Sequence, residues 1–129
     1  MIVTGAFLAD RVEANGAKLD LQGGVWDYIN ISDSWDSITP NLVVILQTTA
    51  DDYGHPHEIV ATVTGPAGEA CGISTLKISD LGERAENRFF YFGVAFRTPR
   101  SGRYSFQVQA SERQSMSFGL QVNKVKEHA

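Results

Sequence analysis

Two aspartates and two histidines that lie close together in the sequence form the best candidate for metal chemistry. Asp51, Asp52, His55 and His57 supply carboxylate and imidazole groups, both of which bind divalent ions. In a strand, His55 and His57 would project to one side. The same segment contains a glycine and a proline, which are typical of a turn. Because the spacing specifies no ligand geometry, we expect a turn without bound metal, and a metal-dependent enzyme using this loop is the weakest of three functional hypotheses.

A second acidic group, Asp27, Asp33 and Asp36, could hold calcium in a loop. The order Asp-x-Asp-x-Asp-Gly that marks a calcium loop is absent, so a solvated loop is the better interpretation.

Nucleophilic catalysis has little support in the sequence. There is no Gly-x-Ser-x-Gly motif and no glycine-rich phosphate-binding loop. The single cysteine, Cys71, lies between Ala70 and Gly72 and is expected to be a packed thiol. We therefore expect no catalytic residue and no cofactor, and we expect that the protein is not an enzyme.

Three aromatic residues could stack on the faces of sugar rings. Trp26 and Tyr28 fall on one face of a predicted strand and are expected to lie in the core. Trp35 lies in a polar loop and is the candidate for exposure. Carbohydrate binding with Trp35 as the platform is the second functional hypothesis.

Three arginines, Arg97, Arg100 and Arg103, flank a turn over residues 98–102. A solvated turn is the simplest interpretation, although the guanidinium groups could also receive an acidic partner surface or a phosphate.

The segment from Arg88 to Phe96 is the most aromatic part of the chain. Phe90 and Phe92 would share one face, and Phe89 and Tyr91 the other. A strand with one face open to water should alternate apolar and polar residues. Because this segment is apolar on both faces, we expect the second face to be covered, either by the segment 30–41 or by another subunit. Such patches are typical of interfaces. A non-enzymatic protein-interaction or assembly module, which could be a homo-oligomer, is the leading functional hypothesis.

The elements that position these residues are short strands. Apolar and polar residues alternate with a period of two over residues 104–110 and 116–122, which predicts a hairpin with a polar link over residues 111–114. Asn15-Gly16 predicts another hairpin, with a type I′ turn. A long loop is predicted over residues 30–41 and a helical turn over residues 81–85, while His128 is expected to be mobile. The nine predicted strands cover residues 4–13, 18–22, 25–29, 42–46, 57–64, 71–78, 88–96, 104–110 and 116–122.

Seven to nine short strands without a helix favour an all-β fold, an antiparallel two-sheet β-sandwich of immunoglobulin-like or related type; a closed barrel is the alternative. We expect one domain over residues 1–129. The predicted core comprises Leu19, Leu21, Ile45, Phe92, Val94, Tyr104, Phe106, Val108, Phe118, Leu120 and Val122.

Composition and charge limit the partners. The net charge of -4 argues against nucleic acid. No run of 18 apolar residues is present, and the N-terminal segment lacks the basic start of a secretory signal, so we expect no membrane association. A lone cysteine fits a reducing compartment, and the cytoplasm is the expected location.

The N-terminal segment Leu8-Ala9-Asp10-Arg11-Val12, followed by residues 16–27 with Gly23-Gly24-Val25-Trp26, resembles an uncharacterised family of small bacterial β-sandwich proteins. The similarity continues in Pro99-x-x-Gly102-x-Tyr104 before the closing strands. The resemblance implies a β-sandwich and transfers no catalytic residue.

Overall fold

The structure is a computed structural model that describes residues 1–82, 85–111 and 114–126, with the side chains of Ser111 and Gln114 left undescribed. The predicted 111–114 link and 81–85 helical turn each include residues outside these ranges, and His128 lies outside them as well. The described residues form eleven strands and one 3₁₀ turn, Ala50–Asp52, with no α-helix. The strands are β1 Ile2–Asn15, β2 Lys18–Gly24, β3 Tyr28–Ser32, β4 Ser37–Ile38, β5 Asn41–Gln47, β6 His57–Thr64, β7 Ala70–Ile78, β8 Asn87–Gly93, β9 Phe96–Arg97, β10 Gly102–Ser111 and β11 Gln114–Val125.

Four strands form an antiparallel sheet in the order β2-β1-β5-β8. One of its two inner strands is β5, in which Leu42, Val43, Val44 and Leu46 are fully buried. Consecutive buried residues point to opposite faces of a strand, so β5 is covered on both faces, as its unbroken apolar run predicts.

Five strands form a second sheet in the order β3-β11-β10-β6-β7. The β10–β11 hairpin lies at its centre and pairs Phe106 with Phe118. This sheet is mixed rather than antiparallel, because β3 runs parallel to β11. The expected all-antiparallel arrangement is therefore wrong at this edge.

A third, two-stranded sheet pairs β4 with β9. The predicted loop over residues 30–41 is thus partly strand, since it contains the end of β3, all of β4 and the start of β5. The predicted aromatic strand over residues 88–96 is divided. After Gly93, the N–H of Val94 bonds to the carbonyl of Pro40, and Phe96 enters the small sheet instead.

The described strands therefore number eleven rather than seven to nine, and they lie in three separate sheets rather than in one closed sheet. All-β architecture is confirmed. Within the described residues, no helix is long and apolar enough to cross a membrane.

The buried cluster draws side chains from both large sheets. Val94, Tyr104, Phe106, Val108, Leu120 and Val122 are buried as predicted, whereas Leu19, Ile45, Phe92 and Phe118 are half-buried. Leu21 is 39% exposed and was wrongly placed in the core. The reason is the length of the first hairpin. β5 begins at Asn41, opposite Ala9, so β1 beyond Ala9 pairs only with β2 and projects as a two-stranded ribbon.

Two local features fix the ends of the hairpins. Asn15 pairs with Lys18, so Gly16 and Ala17 are the central residues of the first turn. Gly16 has a φ of 61°, as predicted, but no described non-glycine residue has positive φ. Type I′ needs positive φ at both central positions, so that assignment is wrong; a glycine at the first position is the type II′ pattern.

Before β10, the hydroxyl of Tyr104 donates to the carbonyl of Arg100 at 2.7 Å. This bond to backbone four residues upstream resembles the tyrosine corner of sandwich domains. The desolvation that comes with burial raises the pKa of Tyr104, so its phenol stays protonated and able to donate.

Candidate functional site

The acidic and histidine side chains of residues 51–57 are engaged in structural contacts. The carboxylate of Asp52 accepts hydrogen bonds from the N-terminal ammonium of Met1 at 2.8 Å and from the N–H of Thr49 at 2.7 Å. The His57 ring contacts the carbonyl of Asp52 through Nε2, and the His55 and His57 rings lie 4.5 Å apart. Across the described residues, no group of three or more His, Cys, Asp or Glu side chains could hold a metal ion.

The electrostatics of Asp52 follow from these contacts. Burial alone would raise the pKa of its carboxyl group, but the hydrogen bonds from the terminal ammonium and from Thr49 outweigh burial and lower it. Asp52 therefore serves as an ionised anchor for the start of β1.

A cavity of about 910 Å³ opens beside these histidines, at the ends of β6, β7 and β10. Its lining includes His57, Glu58, Lys77 and Gln109. Glu58 and Lys77 are cross-strand partners with opposite charges, so the cavity does not present a surface of one sign.

The second acidic group is spread along a segment whose backbone bonds to β11 and to Thr98, the residue after β9. The carbonyl of Asp27 accepts from Gln121, the N–H of Asp33 donates to Val125, and the carbonyl of Asp36 accepts from Thr98. All three side chains are exposed, as expected for a solvated loop.

Trp35 is exposed, but its backbone is firmly held. The residue is 51% exposed. Its N–H donates to Ser32 at 3.1 Å, and its carbonyl accepts from Lys124 Nζ at 3.0 Å and from Thr98 Oγ1 at 3.1 Å. Lys124 also donates to the carbonyl of Thr98 at 2.6 Å. No sequence pattern marks Lys124 for this role, since its partners are distant backbone carbonyls.

The two other aromatic candidates separate. Tyr28 is 62% exposed, so its expected place in the core is wrong: it begins β3, the edge strand of the five-stranded sheet. Trp26 precedes β3 rather than lying in it and packs half-buried against the core, with its indole N–H bonded to the carbonyl of Gly23 at 2.8 Å. Trp26 and Trp35 line one groove of about 400 Å³.

The three arginines have different partners. Arg97 donates to the carbonyl of Ala70 at 2.7 Å, and Arg100 forms an ion pair with Glu69 at 2.9 Å. Arg103 donates to Ser105 and extends over Gly119, where a Cβ would collide with its guanidinium. A shared anion site is thus not assembled by these contacts, and a role for the arginines in an interface stays a prediction.

The aromatic edge, defined as Phe89, Phe90, Tyr91 and Phe92 of β8, is an apolar and partly exposed strand of the four-stranded sheet. Phe90 and Phe92 pack against the core but are only half-buried, and Phe89 is half-buried on the outer face. Tyr91 is 38% exposed. Within the part of the chain that the structure describes, this strand is therefore incompletely covered, and the segment 30–41 does not cover it fully.

Contacts at the start of β8 hold the aromatic edge in place. Tyr53 Oη accepts from the N–H of Ala85 at 2.6 Å and from Arg88 Nη2 at 3.3 Å, while Arg88 Nη1 donates to the carbonyl of Leu81. Burial would raise the pKa of Tyr53, but these hydrogen bonds, together with those to Thr48 and the Arg88 charge, lower it.

Cys71 is buried, as expected for a packed thiol. Burial, reinforced by the nearby charge of Glu69, raises the pKa of this thiol, which therefore remains protonated and weakly nucleophilic.

Comparisons with known proteins identify no family for this chain. No family model matches the sequence, and no curated protein matches it either. The resemblance to small bacterial β-sandwich proteins stays an expectation.

Proposed function

We propose that the protein is a non-enzymatic assembly module that forms a homodimer through β8, and that its two large sheets act as the layers of a β-sandwich scaffold. The observation that carries the proposal is an edge strand with four consecutive aromatic residues, each of them partly exposed. A cytoplasmic location belongs to the same proposal and is supported by the lone, buried, protonated Cys71.

Strand β8 lies at an edge of the four-stranded sheet. Within the described residues, β8 pairs with β5 on one side and with no strand on the other. An unpaired edge exposes backbone N–H and C=O groups to any further strand, and monomeric proteins protect such edges with charges, proline, bulges or short length. Residues 87–93 contain no proline and one charged residue, Arg88, whose guanidinium is bound to Leu81 and Tyr53.

The other three edges of the two large sheets are better protected against pairing than the edge at β8. The edge strand β2 carries Lys18 and Asp20, and β7 carries Lys77. The edge strand β3 is five residues long. These are the devices that discourage pairing between sheet edges.

A second copy of the chain is the occupant because β8 is complementary to itself. If two β8 strands pair antiparallel about a two-fold axis at Phe90, Phe89 of each copy lies opposite Tyr91 of the other. Aromatic cross-strand pairs of this kind contribute roughly 0.2–1 kcal/mol each. The pairing also joins two four-stranded sheets into one sheet and satisfies the backbone groups of both edges.

Burial of the outer rings supplies a further driving force. Tyr91 lies beside Val43, which pairs in turn with Phe7, so the aromatic edge continues an apolar row across the sheet. Phe89 is already half-buried and Tyr91 is 38% exposed. Removing the rest of both rings from water would contribute about 1–2 kcal/mol per copy before the entropic cost of association is subtracted.

The test is a double substitution, Phe89→Ser with Tyr91→Lys, followed by light scattering. The variant should be a folded monomer, because it replaces the self-complementary pair with a polar residue and a charge. Ile73→Lys is the matched control: Ile73 is 70% exposed on β7, the edge strand of the other sheet. Loss of the dimer in the control but not in the double variant would place the interface on the five-stranded sheet and contradict the proposal.

A further inference from the structure

We propose that the groove lined by Trp26 and Trp35 binds a pyranose ring of a β-linked glycan, with the sugar stacked on the Trp35 indole. The volume of the groove, about 400 Å³, lies within the range of small-molecule sites. Besides the two tryptophans, its polar lining residues are Asp10, Ser37, Thr39 and Asn41. This site is separate from the β8 edge and does not depend on dimer formation.

Trp35 is a preorganised platform. The residue is half exposed to water, although an indole ring contributes to stability when it is buried. Its backbone is nevertheless fixed by Ser32, Lys124 and Thr98 at distances of 3.0–3.1 Å. A ring displayed on a fixed backbone loses less entropy when a ligand binds than a ring on a free loop does.

The polar side of the groove is fixed in the same way. The side-chain amide of Asn41 donates to the carbonyl of Asp10 at 3.2 Å, and the indole N–H of Trp26 is bound to Gly23. Gly23 has a φ of 63° and no side chain, and a Cβ there would collide with the Asp10 carboxylate. The glycine therefore leaves room for the carboxylate at this position.

The combination of groups selects the ligand class. One face of a β-linked pyranose carries C–H groups that suit an indole ring, and its edge carries hydroxyls that both donate and accept. Asp10 can accept from two hydroxyls, Asn41 can donate and accept, and Ser37 and Thr39 can do either. A quaternary ammonium ion could also use tryptophan and a carboxylate, but it would make no use of the three neutral polar residues.

Fluorescence tests the site directly, because Trp26 and Trp35 are the two tryptophans of the chain. The probes are β-1,4-linked tetrasaccharides of glucose, galactose, mannose and N-acetylglucosamine, titrated separately into the full chain, with tetramethylammonium as the competing class. At least one tetrasaccharide should give a saturable shift of the emission. Trp35→Ala should weaken its binding by at least about tenfold, measured by calorimetry so that loss of the fluorophore does not matter.

Tyr28→Ala is the matched control, since it removes an exposed aromatic ring outside the groove, and its affinity should equal that of the parent. Asp10→Asn provides a second variant with a smaller structural change and should also weaken binding. Circular dichroism and the melting temperature establish that each variant is folded. The proposal is overturned if no tetrasaccharide binds, if Trp35→Ala binds as well as the parent, or if tetramethylammonium is the only ligand.

Discussion

Phe106 illustrates how alternation along one strand determines the interior. Its ring stacks on Phe118 at a centroid distance of 4.9 Å and meets Phe96 edge-on at 5.2 Å. The partner Phe118 lies directly opposite on β11. The two alternating segments predict the hairpin but not this register. Phe96 comes from the small third sheet, and its contact was not predictable, because no polar residue between Phe89 and Phe96 marks the end of a strand.

The first prediction at the residue scale concerns the stability that is lost when the Phe106 ring is removed. Phe106→Ala should lower the free energy of unfolding by about 3–5 kcal/mol, because a fully buried ring and its contacts are lost. Urea denaturation measures the change. Ile73→Ala, at a position that is 70% exposed, is the control and should change stability by less than about 0.5 kcal/mol. Equal midpoints for parent and Phe106→Ala would refute the core assignment.

Asp52 gives a second prediction at the residue scale, on pH dependence. Its pKa is lowered in the folded protein, so the contacts with Met1 and Thr49 contribute stability above the ordinary value of 3.8. That contribution is lost as the pH falls through the folded-state pKa. Asp52→Asn should therefore reduce the difference in unfolding free energy between neutral and acidic solution. Asp51→Asn, at the exposed neighbour, is the control, and an equal effect of both variants would contradict the role of Asp52.

At the scale of elements, turns and alternating strands were predictable because their signals are local. The limits of β6 and the position of the β1–β2 hairpin follow from short patterns that need no knowledge of distant residues. The two-residue strands β4 and β9 have no periodic signal, and the parallel pairing of β3 depends on β11, more than eighty residues away. Tyr28 was misplaced for the same reason, because the alternation of apolar and polar residues does not reveal whether a strand lies at the edge of a sheet.

The first hairpin provides the prediction for elements. Gly16→Val should destabilise the protein by at least about 1 kcal/mol, because a β-branched residue is strained at a φ of 61°. Apart from the adjacent residues, no heavy atom lies within 4 Å of the position that a Cβ would occupy. A loss of stability would therefore report backbone strain rather than a steric collision. Ala17→Val, at the adjacent exposed turn position, is the control. A cost no larger than that of the control would mean that Gly16 does not need positive φ.

For the molecule as a whole, the all-β class was predictable from composition and turn spacing, whereas the division into three sheets was not. Sheet order depends on pairings between distant strands, such as β5 with β1 and β8. The same holds for the candidate sites. Trp35 was identifiable as an aromatic residue in a polar loop, but Asp10 and Asn41 reach the same groove only through the pairing of β1 with β5. Phe89 and Tyr91 were identifiable because apolar residues on both faces of one strand are a local signal.

The solution mass of the unmodified chain tests dimer formation through β8 most directly. Light scattering coupled to size exclusion, repeated over a micromolar concentration series, should give twice the chain mass of 14.1 kDa. The Phe89→Ser, Tyr91→Lys variant should give the single-chain mass at the same concentrations. A parent that remains at 14.1 kDa up to high micromolar concentration would contradict the account.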